Sequence, residues 1–509
     1  MGEIVETTSK RQRVCEEEEV DRISSLPDSI LIHILSCLPT KDALRTVLVP
    51  RFRHLCNFLT TLAFNHSWYG TGEEGCKDFL DYVRLVLLDH QNGTIDKFAL
   101  KMEVNFLYSK LVDNANDDDD DGGYIVDYAD LYYAGLEKRV ASEVDSWIHF
   151  AMRKNVKVLD LDFLVYGEPK PNASYRLPSV VFRGKYLTEL KLGACEIKPV
   201  GKIQMNCLKR LFLKDVVLND ETINQILSGC FVLEELSLIS CYGLSRLGFG
   251  NPSIKSLILN HARKGERVEI SCPNIESLDI AGYMDLVDLV DVSSVVDSSI
   301  SLGYFTGSLE EYKSLEALFK KPGCCKMFRL CNSCILVFSI WQLRNQTGLL
   351  FGWKCLEFVV ELTKWHLPGI SCLLRTSPYL ETLAMYVYPE DDKTFKLDNC
   401  EWAKQYDFDG GNFWRLQEGT FHCLEKQLKT IKIYGYITEP YVIDTVEFLL
   451  KNATVLEKLE ISTKKTLKHS HQANSSCQKV ELSAEQRLEF SQKLSSLPRA
   501  SPRAVIHIS

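Results

Sequence analysis

The feature of this sequence that most restricts its fold is a word of six residues, written L-x-x-L-x-L with aliphatic residues at the three fixed positions. Its six clearest copies recur through the middle of the chain and begin at Val156, Leu187, Leu208, Leu233, Ile254 and Ile275. The offsets between successive copies are 31, 21, 25, 21 and 21 residues. A unit this short cannot bury its own apolar face, so we expect the copies to stack as successive strands of a curved solenoid.

This spacing is typical of leucine-rich repeats. The periodicity is weak between Met284 and Gly352. It resumes in four further words, Cys355-Phe358-Val360, Leu380-Leu383-Met385, Leu428-Ile431-Ile433 and Leu456-Leu459-Ile461. The predicted fold class is therefore α/β. The alternative is a conventional α/β domain with aliphatic strands, in which the 21-residue spacing would be accidental.

Composition and charge exclude several classes of function. Hydrophobic residues make up 45% of the chain, and no apolar run is long enough to span a bilayer, so we expect no membrane partner. The net charge of -9 is matched by two acidic runs, Glu16–Glu19 and Asp117–Asp121, and no basic, aromatic-rich stripe predicts nucleic-acid binding. The N-terminus lacks the apolar segment of a secretory signal. We therefore expect an intracellular protein, in the nucleus, the cytoplasm or both.

The cysteines indicate neither a disulfide framework nor a metal. Eighteen of them are scattered through 509 residues, which favours reduced, buried thiols. The densest cluster contains Cys324, Cys325, Cys331 and Cys334. Cys331-Asn-Ser-Cys334 has the spacing of half a zinc site, but no second pair follows at the distance of a zinc ribbon, so we expect no metal. Phosphate-binding and hydrolase motifs are absent from the sequence, and we expect no cofactor and no catalytic residue.

Residues 21–66 predict a compact module of three short helices. Ile30, Leu31, Ile34, Leu35 and Leu38 recur with helical period, and Pro39 separates this helix from a second one. The spacing of Phe52, Leu55, Cys56 and Leu59 predicts a third helix. A module of about 40 residues rarely folds without a partner. The sequence pattern leaves open whether the module docks on the rest of the chain or on another protein.

The stretch LPDSILIHILSCLPTKDALRT resembles the F-box of plant F-box proteins. This resemblance implies binding to a Skp-type adaptor, which in turn binds a cullin, in a ubiquitin ligase whose other subunits transfer the ubiquitin. The sequence departs from the family's common pattern at Phe52 and Cys56, where tryptophans are usual, and at Pro50. By position, the resemblance assigns adaptor contact to Leu26, Pro27, Ile30, Leu31, Ile34, Leu35, Leu38, Pro39 and Leu44.

The C-terminal stretch predicts a strand, a helix, a strand and a final strand, Val505–Ile508, that completes a sheet. The words KNATVLEKLEI and PRASPR resemble the FBD domain of plant proteins that carry an F-box first and leucine-rich repeats between. The fold implied is a three-helix F-box followed by a solenoid that ends in an FBD α/β segment. The domains expected are a disordered acidic N-terminus at 1–20, the F-box at 21–66, a linker with an acidic loop at 67–145, leucine-rich repeats at 146–395 and the FBD domain at 420–509.

The resemblance implies that the repeats and the FBD domain bind a protein client for ubiquitination. The competing interpretation is a protein-binding scaffold that never enters a ligase and buries its F-box helices within the chain. Because side chains alternate along a strand, the third, fifth and seventh positions, counted from the start of each word, should line one concave face. We expect client contacts there at Glu189, Lys191, Arg210, Phe212, Lys214, Ser256, Ile258 and Asn260, with Glu235, Ser237, Ser277 and Asp279 on the same face.

Overall fold

The computed structural model describes residues 22–70, 73–103, 128–164, 175–248, 252–261, 267–283, 287–302, 318–319, 325–345, 350–388, 403–406, 409–437, 440–462 and 484–508. Both acidic runs, Glu16–Glu19 and Asp117–Asp121, lie outside these residues. The chain divides into two compact units. The first combines residues 1–101 with 126–156, and the second combines 102–125 with 157–509.

The first unit begins with two of the three predicted helices, α1 (Asp28–Ser36) and α2 (Thr40–Arg45). A proline precedes each helix, at a position where its missing N–H removes no helical hydrogen bond. The third predicted helix is wrong: the chain forms only a 3₁₀ turn at Leu55–Phe58. The reason is that Leu59 already has extended backbone angles, and the chain continues into strand β1 (Thr61–Asn65).

Regular structure also occupies part of the stretch expected to be a linker, residues 67–145. It holds helix α3 (Glu73–Asp89), strand β2 (Lys97–Glu103) and the first part of helix α4 (Tyr128–Arg153). Strands β1 and β2 pair in parallel from Thr61↔Lys97 to Asn65↔Lys101. Phe79, Phe98 and Trp147, one from each of these elements, are buried. The apolar alternation of KFALKME and the helical period of α3 are the signals that predict this structure.

The second unit contains the repeats. Its described strands are β3 (Val158–Leu164), β4 (Tyr175–Arg176), β5 (Glu189–Gly193), β6 (Cys195–Glu196), β7 (Arg210–Lys214), β8 (Glu235–Ile239), β9 (Arg246–Gly248), β10 (Ser256–His261), β11 (Val268–Ser271), β12 (Ser277–Gly282), β13 (Val287–Asp291), β14 (Asp297–Leu302), β15 (Met327–Leu330), β16 (Cys355–Val360), β17 (Thr382–Val387), β18 (Thr430–Gly435), β19 (Lys458–Ser462) and β20 (Val505–Ile508). Its described α-helices are α5 (Asp220–Ser228), α6 (Asn332–Leu343), α7 (Leu367–Thr376), α8 (His422–Lys426), α9 (Pro440–Asn452) and α10 (Ala484–Ser496).

The main sheet of this unit is parallel throughout its described strands, which follow one another in the order β3-β5-β7-β8-β10-β12-β14-β15-β16-β17-β18-β19-β20. Two smaller sheets, β4-β6 and β13-β11-β9, accompany it. The strands of the main sheet therefore follow one another in the same order as in the chain. This is the order expected of a solenoid, in which each repeat contacts the next. The predicted α/β solenoid is therefore confirmed.

The register of the main sheet confirms the predicted frame for most repeats. Leu190, Leu211, Leu236, Leu257 and Leu278 stand opposite one another on neighbouring strands, and all five are buried. These leucines occupy the fourth position of the L-x-x-L-x-L word. Their alignment explains why the leucine positions recur: each side chain fills the core beside its counterpart from the next repeat.

The predicted frame is wrong for one repeat and incomplete for two others. In β16, Leu356 stands opposite Leu383, so the word is Trp353-Leu356-Phe358 and not Cys355-Phe358-Val360. Strands β14 and β15 continue the sheet where the rhythm fades in the sequence. There the position of Leu278 is taken by a buried serine, Ser298, and then by Phe328. A polar residue and an aromatic one at the core positions hide the repeat from a search for aliphatic words.

The final strand pairs as predicted. Strand β20 lies parallel to β19, with Leu459 opposite Ile506 and Ile461 opposite Ile508. The buried Ser501 hydroxyl, just before the strand, donates a hydrogen bond to the Leu456 carbonyl oxygen at 2.6 Å. This contact fixes the turn that leads into the strand, so the terminal residues complete the sheet.

Candidate protein-binding surfaces

Helix α1 carries two apolar stripes that point in different directions. Leu31 and Leu35 are 1% and 4% exposed and belong to the core of the module. Ile30, Ile34 and Leu38 remain 46%, 42% and 39% exposed. Ile30 and Ile34 lie one turn apart on the same side of α1, and Leu38 follows two residues after the helix ends at Ser36. We call these three residues the exposed stripe. Leu31 and Leu35 therefore stabilise the fold, whereas the exposed stripe does not enter the core of the module.

The remaining residues with a predicted adaptor contact lie at the ends of the helices. Pro27 and Pro39 are exposed, whereas Leu26 and Leu44 are partly buried. Sequence reasoning missed Leu48, which is 86% exposed, and its exposed neighbour Val49. A signal for them was available, because the run Val47-Leu48-Val49 is too long for every side chain to face the core of so short a helix.

Arg51 holds the start of α1 in place. Its guanidinium donates hydrogen bonds to the carbonyl oxygens of Ser24 and Leu26, both at 3.2 Å, and to the Asp28 carboxylate at 2.5 Å. The hydrogen bond from Arg51 lowers the pKa of Asp28, although partial burial opposes this shift. The exposed chain that leads into the helix is therefore tied to the segment after α2, which orients the exposed stripe.

Cys56, which departs from the family pattern, lies inside the module. Its thiol is buried and donates a hydrogen bond to the Ala43 carbonyl oxygen at 3.4 Å, and burial raises the pKa of the thiol. The position therefore serves packing within the module.

The main sheet brings the predicted client residues together in rows. One row contains Lys191, Phe212, Ser237, Ile258 and Asp279, each opposite the next on adjacent strands. A parallel row contains Glu189, Arg210, Glu235, Ser256 and Ser277, and a third places Lys214, Ile239 and Asn260 in register. We call these rows the outward face, because the alternate residues between them are the buried core leucines. Neighbours within a row are separated by about 5 Å.

The outward face is less open than the sequence suggests. Ser237 is buried, and Phe212 is only partly exposed between its neighbours in the row. Glu189 binds both Lys191, at 2.8 Å, and Arg210. Burial would raise the pKa of Glu189, but the hydrogen bonds from Lys191 and Arg210 outweigh it and the pKa is lowered. Arg210 is consequently held in an ion pair, although its side chain stays 48% exposed.

A second ion-pair cluster on the outward face was missed by sequence reasoning. Arg329 donates hydrogen bonds to Asp297 at 2.6 Å and to Glu357 at 3.1 Å, across three neighbouring strands. Asp297 and Arg329 lie in strands β14 and β15, where the repeats escaped detection. Once the strands are aligned, the register itself predicts the contact, because oppositely charged residues then lie on adjacent strands.

The outward face becomes aromatic near its C-terminal end. Tyr386 and Tyr434 stand opposite each other with ring centroids 5.1 Å apart, and both are buried beside Ala384. The Tyr434 hydroxyl donates a hydrogen bond to the Glu460 carboxylate at 3.0 Å. Burial raises the pKa of Tyr386 to about 12. These side chains form a small apolar cluster on the sheet, and they are too enclosed to offer a free binding surface.

Neither a metal site nor a membrane span is seen in the described part of the chain. Among those residues, no group of three or more His, Cys, Asp or Glu side chains could hold a metal ion. No described helix is both long enough and apolar enough to cross a bilayer.

Two family models match the sequence. One, described as the At1g61320/AtMIF1 LRR domain, matches residues 127–494, and the F-box domain model matches residues 23–60. Similar proteins from Arabidopsis thaliana include the putative F-box/LRR-repeat protein At3g18150, 26% identical over 87% of each chain. F-box/LRR-repeat protein At3g59200 is 32% identical over 72% of this chain and 69% of its own length. The putative F-box/FBD/LRR-repeat protein At4g00315 is 26% identical over 87% of this chain and 92% of its own length.

Proposed function

Because the chain belongs to the plant F-box/LRR-repeat protein family, we propose that it is a substrate receptor of a Skp/cullin/F-box-type ubiquitin ligase. In this role the F-box binds the Skp-type adaptor, and the repeats, together with the FBD segment at 420–509, bind a protein client. The receptor needs no catalytic residue of its own, because it acts by holding the client close to the subunits that transfer ubiquitin.

The observation that carries this proposal is the exposed stripe of Ile30, Ile34 and Leu38. Leu31 and Leu35 fill the core of the F-box module, whereas these three side chains stay about 40% exposed. Three aliphatic side chains in one stripe, with the exposed Leu48 and Val49 nearby in the sequence, form the kind of apolar surface that marks a protein interface.

The client contact is proposed for the outward face of the main sheet. Arg210 and Phe212 lie on the same strand, and Arg and aromatic residues are over-represented among the residues that dominate binding energy. In its row, Phe212 stands between Lys191 and Ser237, and Ile258 follows Ser237 on the next strand. The face therefore presents a partly exposed aromatic ring among charged and aliphatic side chains, a composition suited to a protein partner.

Co-purification tests the proposed ligase function. The intact chain, carrying a tag and produced in plant cells, should recover a Skp-type adaptor and a cullin. A chain with Ile30→Glu and Ile34→Glu should recover neither, because two carboxylates would enter an apolar interface. The matched control carries Leu85→Glu and Leu88→Glu, the same chemical change at two exposed leucines of α3.

The outcomes separate the two interpretations. Loss of both subunits in the α1 variant, with full recovery in the α3 variant, supports the receptor. Absence of adaptor and cullin from the intact chain under conditions that recover them with another F-box protein overturns it in favour of the scaffold. The same purification with the proteasome blocked should enrich client proteins with the intact chain.

A further inference from the structure

A pair of buried thiols lies where α6 begins. Cys331 immediately precedes the helix, at its N-cap, and Cys334 lies in the first turn. The two sulfur atoms are 3.6 Å apart, a van der Waals contact. A disulfide bond requires about 2.05 Å, so a side-chain movement of about 1.5 Å joins them. No other pair of cysteines in the sequence has the C-x-x-C spacing.

The surroundings of the two sulfurs are unequal. The Leu302 amide donates a hydrogen bond to the Cys331 sulfur at 3.1 Å, and the N-terminal end of α6 adds a partial positive charge. Hydrogen bonding to Cys334 lowers the pKa of the Cys331 thiol and outweighs the opposing effect of burial. Burial raises the pKa of the Cys334 thiol. Cys331 is therefore the better nucleophile, and Cys334 is placed to react with it next.

The contacts around the pair allow both the dithiol and the disulfide. In the dithiol, the Cys334 thiol donates a hydrogen bond to the Ile300 carbonyl oxygen at 3.4 Å. That oxygen also accepts a hydrogen bond from the Cys331 amide, at 3.3 Å. Removal of the thiol proton therefore does not leave the buried carbonyl without a donor, which would be costly. Oxidation should consequently leave the sheet and α6 intact.

We propose that Cys331 and Cys334 form a reversible dithiol/disulfide pair that is oxidised by hydroperoxides, a redox modification site within the repeat solenoid. The Cys331 thiolate attacks one peroxide oxygen, the O–O bond breaks, and the product is a sulfenic acid plus hydroxide, which becomes water on protonation. The Cys334 sulfur then attacks the Cys331 sulfur. The S–O bond breaks and a second water leaves with the Cys334 proton. Two thiols are oxidised by two electrons, and one hydrogen peroxide is reduced to two waters.

The full-length chain provides a direct test, because trypsin releases both cysteines in one peptide, Leu330–Arg344. The folded, reduced chain is exposed to hydrogen peroxide, quenched, alkylated and digested. Mass spectrometry should show this peptide without alkyl groups and lighter by two hydrogens, and dithiothreitol should restore both thiols. The buried Cys372 serves as the reference thiol, because burial raises its pKa to about 12. The thiolate fraction changes tenfold per pKa unit, whereas the nucleophilicity of the thiolate changes by less. Oxidation of Cys331 should therefore proceed at least about tenfold faster than oxidation of Cys372.

Three variants sharpen the test. Cys334→Ser should stop the reaction at a Cys331 sulfenic acid, which dimedone traps, whereas Cys331→Ser should leave Cys334 reduced. Cys325→Ser, a change at another buried thiol nearby in the sequence, should not alter disulfide formation. The proposal is overturned if the wild-type peptide stays reduced while the chain is folded, or if it passes to sulfinic acid without losing two hydrogens. A dimedone adduct on Cys334 alone would overturn the role given to Cys331.

Discussion

Substitutions on the two stripes of α1 should separate folding from adaptor binding. Leu31 is almost completely buried, and truncation of such a leucine to alanine typically costs about 3 kcal/mol of folding free energy. For a module of this size, that is a large part of its stability. Leu31→Ala should therefore unfold the F-box module at a markedly lower temperature, while the repeats, which belong to the other compact unit, should melt as in the wild type.

The exposed stripe should behave in the opposite way. Alanine at Ile30, Ile34 and Leu38 removes three carbons from each side chain, or about 2.4 kcal/mol if all of that surface were to become buried. Only the exposed part, about 40% of each side chain, is left for an adaptor to cover. The loss is then about 1 kcal/mol per residue and about 3 kcal/mol for the triple substitution, which weakens binding about 150-fold. Alanine favours helix formation at Ile30 and Ile34, and Leu38 is exposed after the end of the helix, so the fold should be retained.

The assay compares the dissociation constant of the purified full-length chain for a Skp-type adaptor, measured by calorimetry, with the thermal unfolding of the same samples. Leu85→Ala with Leu88→Ala, at exposed positions of α3, serves as the control and should change neither quantity. The reasoning is refuted if the triple substitution keeps its unfolding temperature and binds the adaptor within about threefold of the wild type. A Leu31→Ala chain as stable as the wild type would refute the assignment of the inner stripe.

Three other predictions concern the repeats. Phe212→Ala should weaken client capture by about 2 kcal/mol, whereas Phe231→Ala, at an exposed phenylalanine outside the strands, should not change it. Equal capture of the client by both variants would contradict a client site on the outward face. Ser298→Ala should raise the unfolding temperature by the equivalent of about 1 kcal/mol, because it removes a buried hydroxyl that has no hydrogen-bond partner among the described residues. A lower unfolding temperature would show that the hydroxyl is hydrogen-bonded in the folded chain. Asp220→Asn should destabilise the chain at pH 7: burial alone would raise the pKa of Asp220, but hydrogen bonds from Ser245 outweigh it and the pKa is lowered. A carboxyl group with a lowered pKa stabilises the fold above its pKa in the unfolded chain, near 3.8, and this stabilisation is lost as the pH falls through its pKa in the folded chain. The unfolding temperatures of the wild type and the variant should therefore converge in acid. A difference that does not depend on pH would contradict this prediction.

The repeats could be predicted from the sequence because their core positions are aliphatic. Leu211, Leu236 and Leu257 are buried opposite one another, and a 21- to 25-residue rhythm follows directly from that contact. The two repeats at β14 and β15 were missed because Ser298 and Phe328 occupy the same core position. A single small side chain is tolerated where a neighbouring repeat supplies a large one, so the stack continues although the word is lost.

The F-box shows a different limit. Sequence periodicity placed the apolar residues of α1 on one side of a helix, but it could not decide which of two adjacent stripes faces inward. Ile30 and Leu31 are neighbours in the chain, lie about 100° apart around the helix, and have similar hydrophobicity. Only the position of the rest of the module distinguishes them. The same holds for Cys56, whose burial reflects a contact with Ala43 that no local pattern contains.

The ion pairs of the outward face change which residue is expected to dominate client recognition. Sequence reasoning gave Arg210 and Phe212 equal weight, but Arg210 already donates hydrogen bonds to Glu189, which also binds Lys191. A client carboxylate that approaches Arg210 must share the guanidinium with Glu189, so the gain from that contact is reduced by the pair it disturbs. Within the described part of the chain, Phe212 has no such competing partner for its remaining exposed surface, and burial of aromatic surface needs no matching charge. Replacement of Phe212 alone, which leaves the Glu189–Arg210 pair in place, is therefore a sharper test of client binding than replacement of both residues.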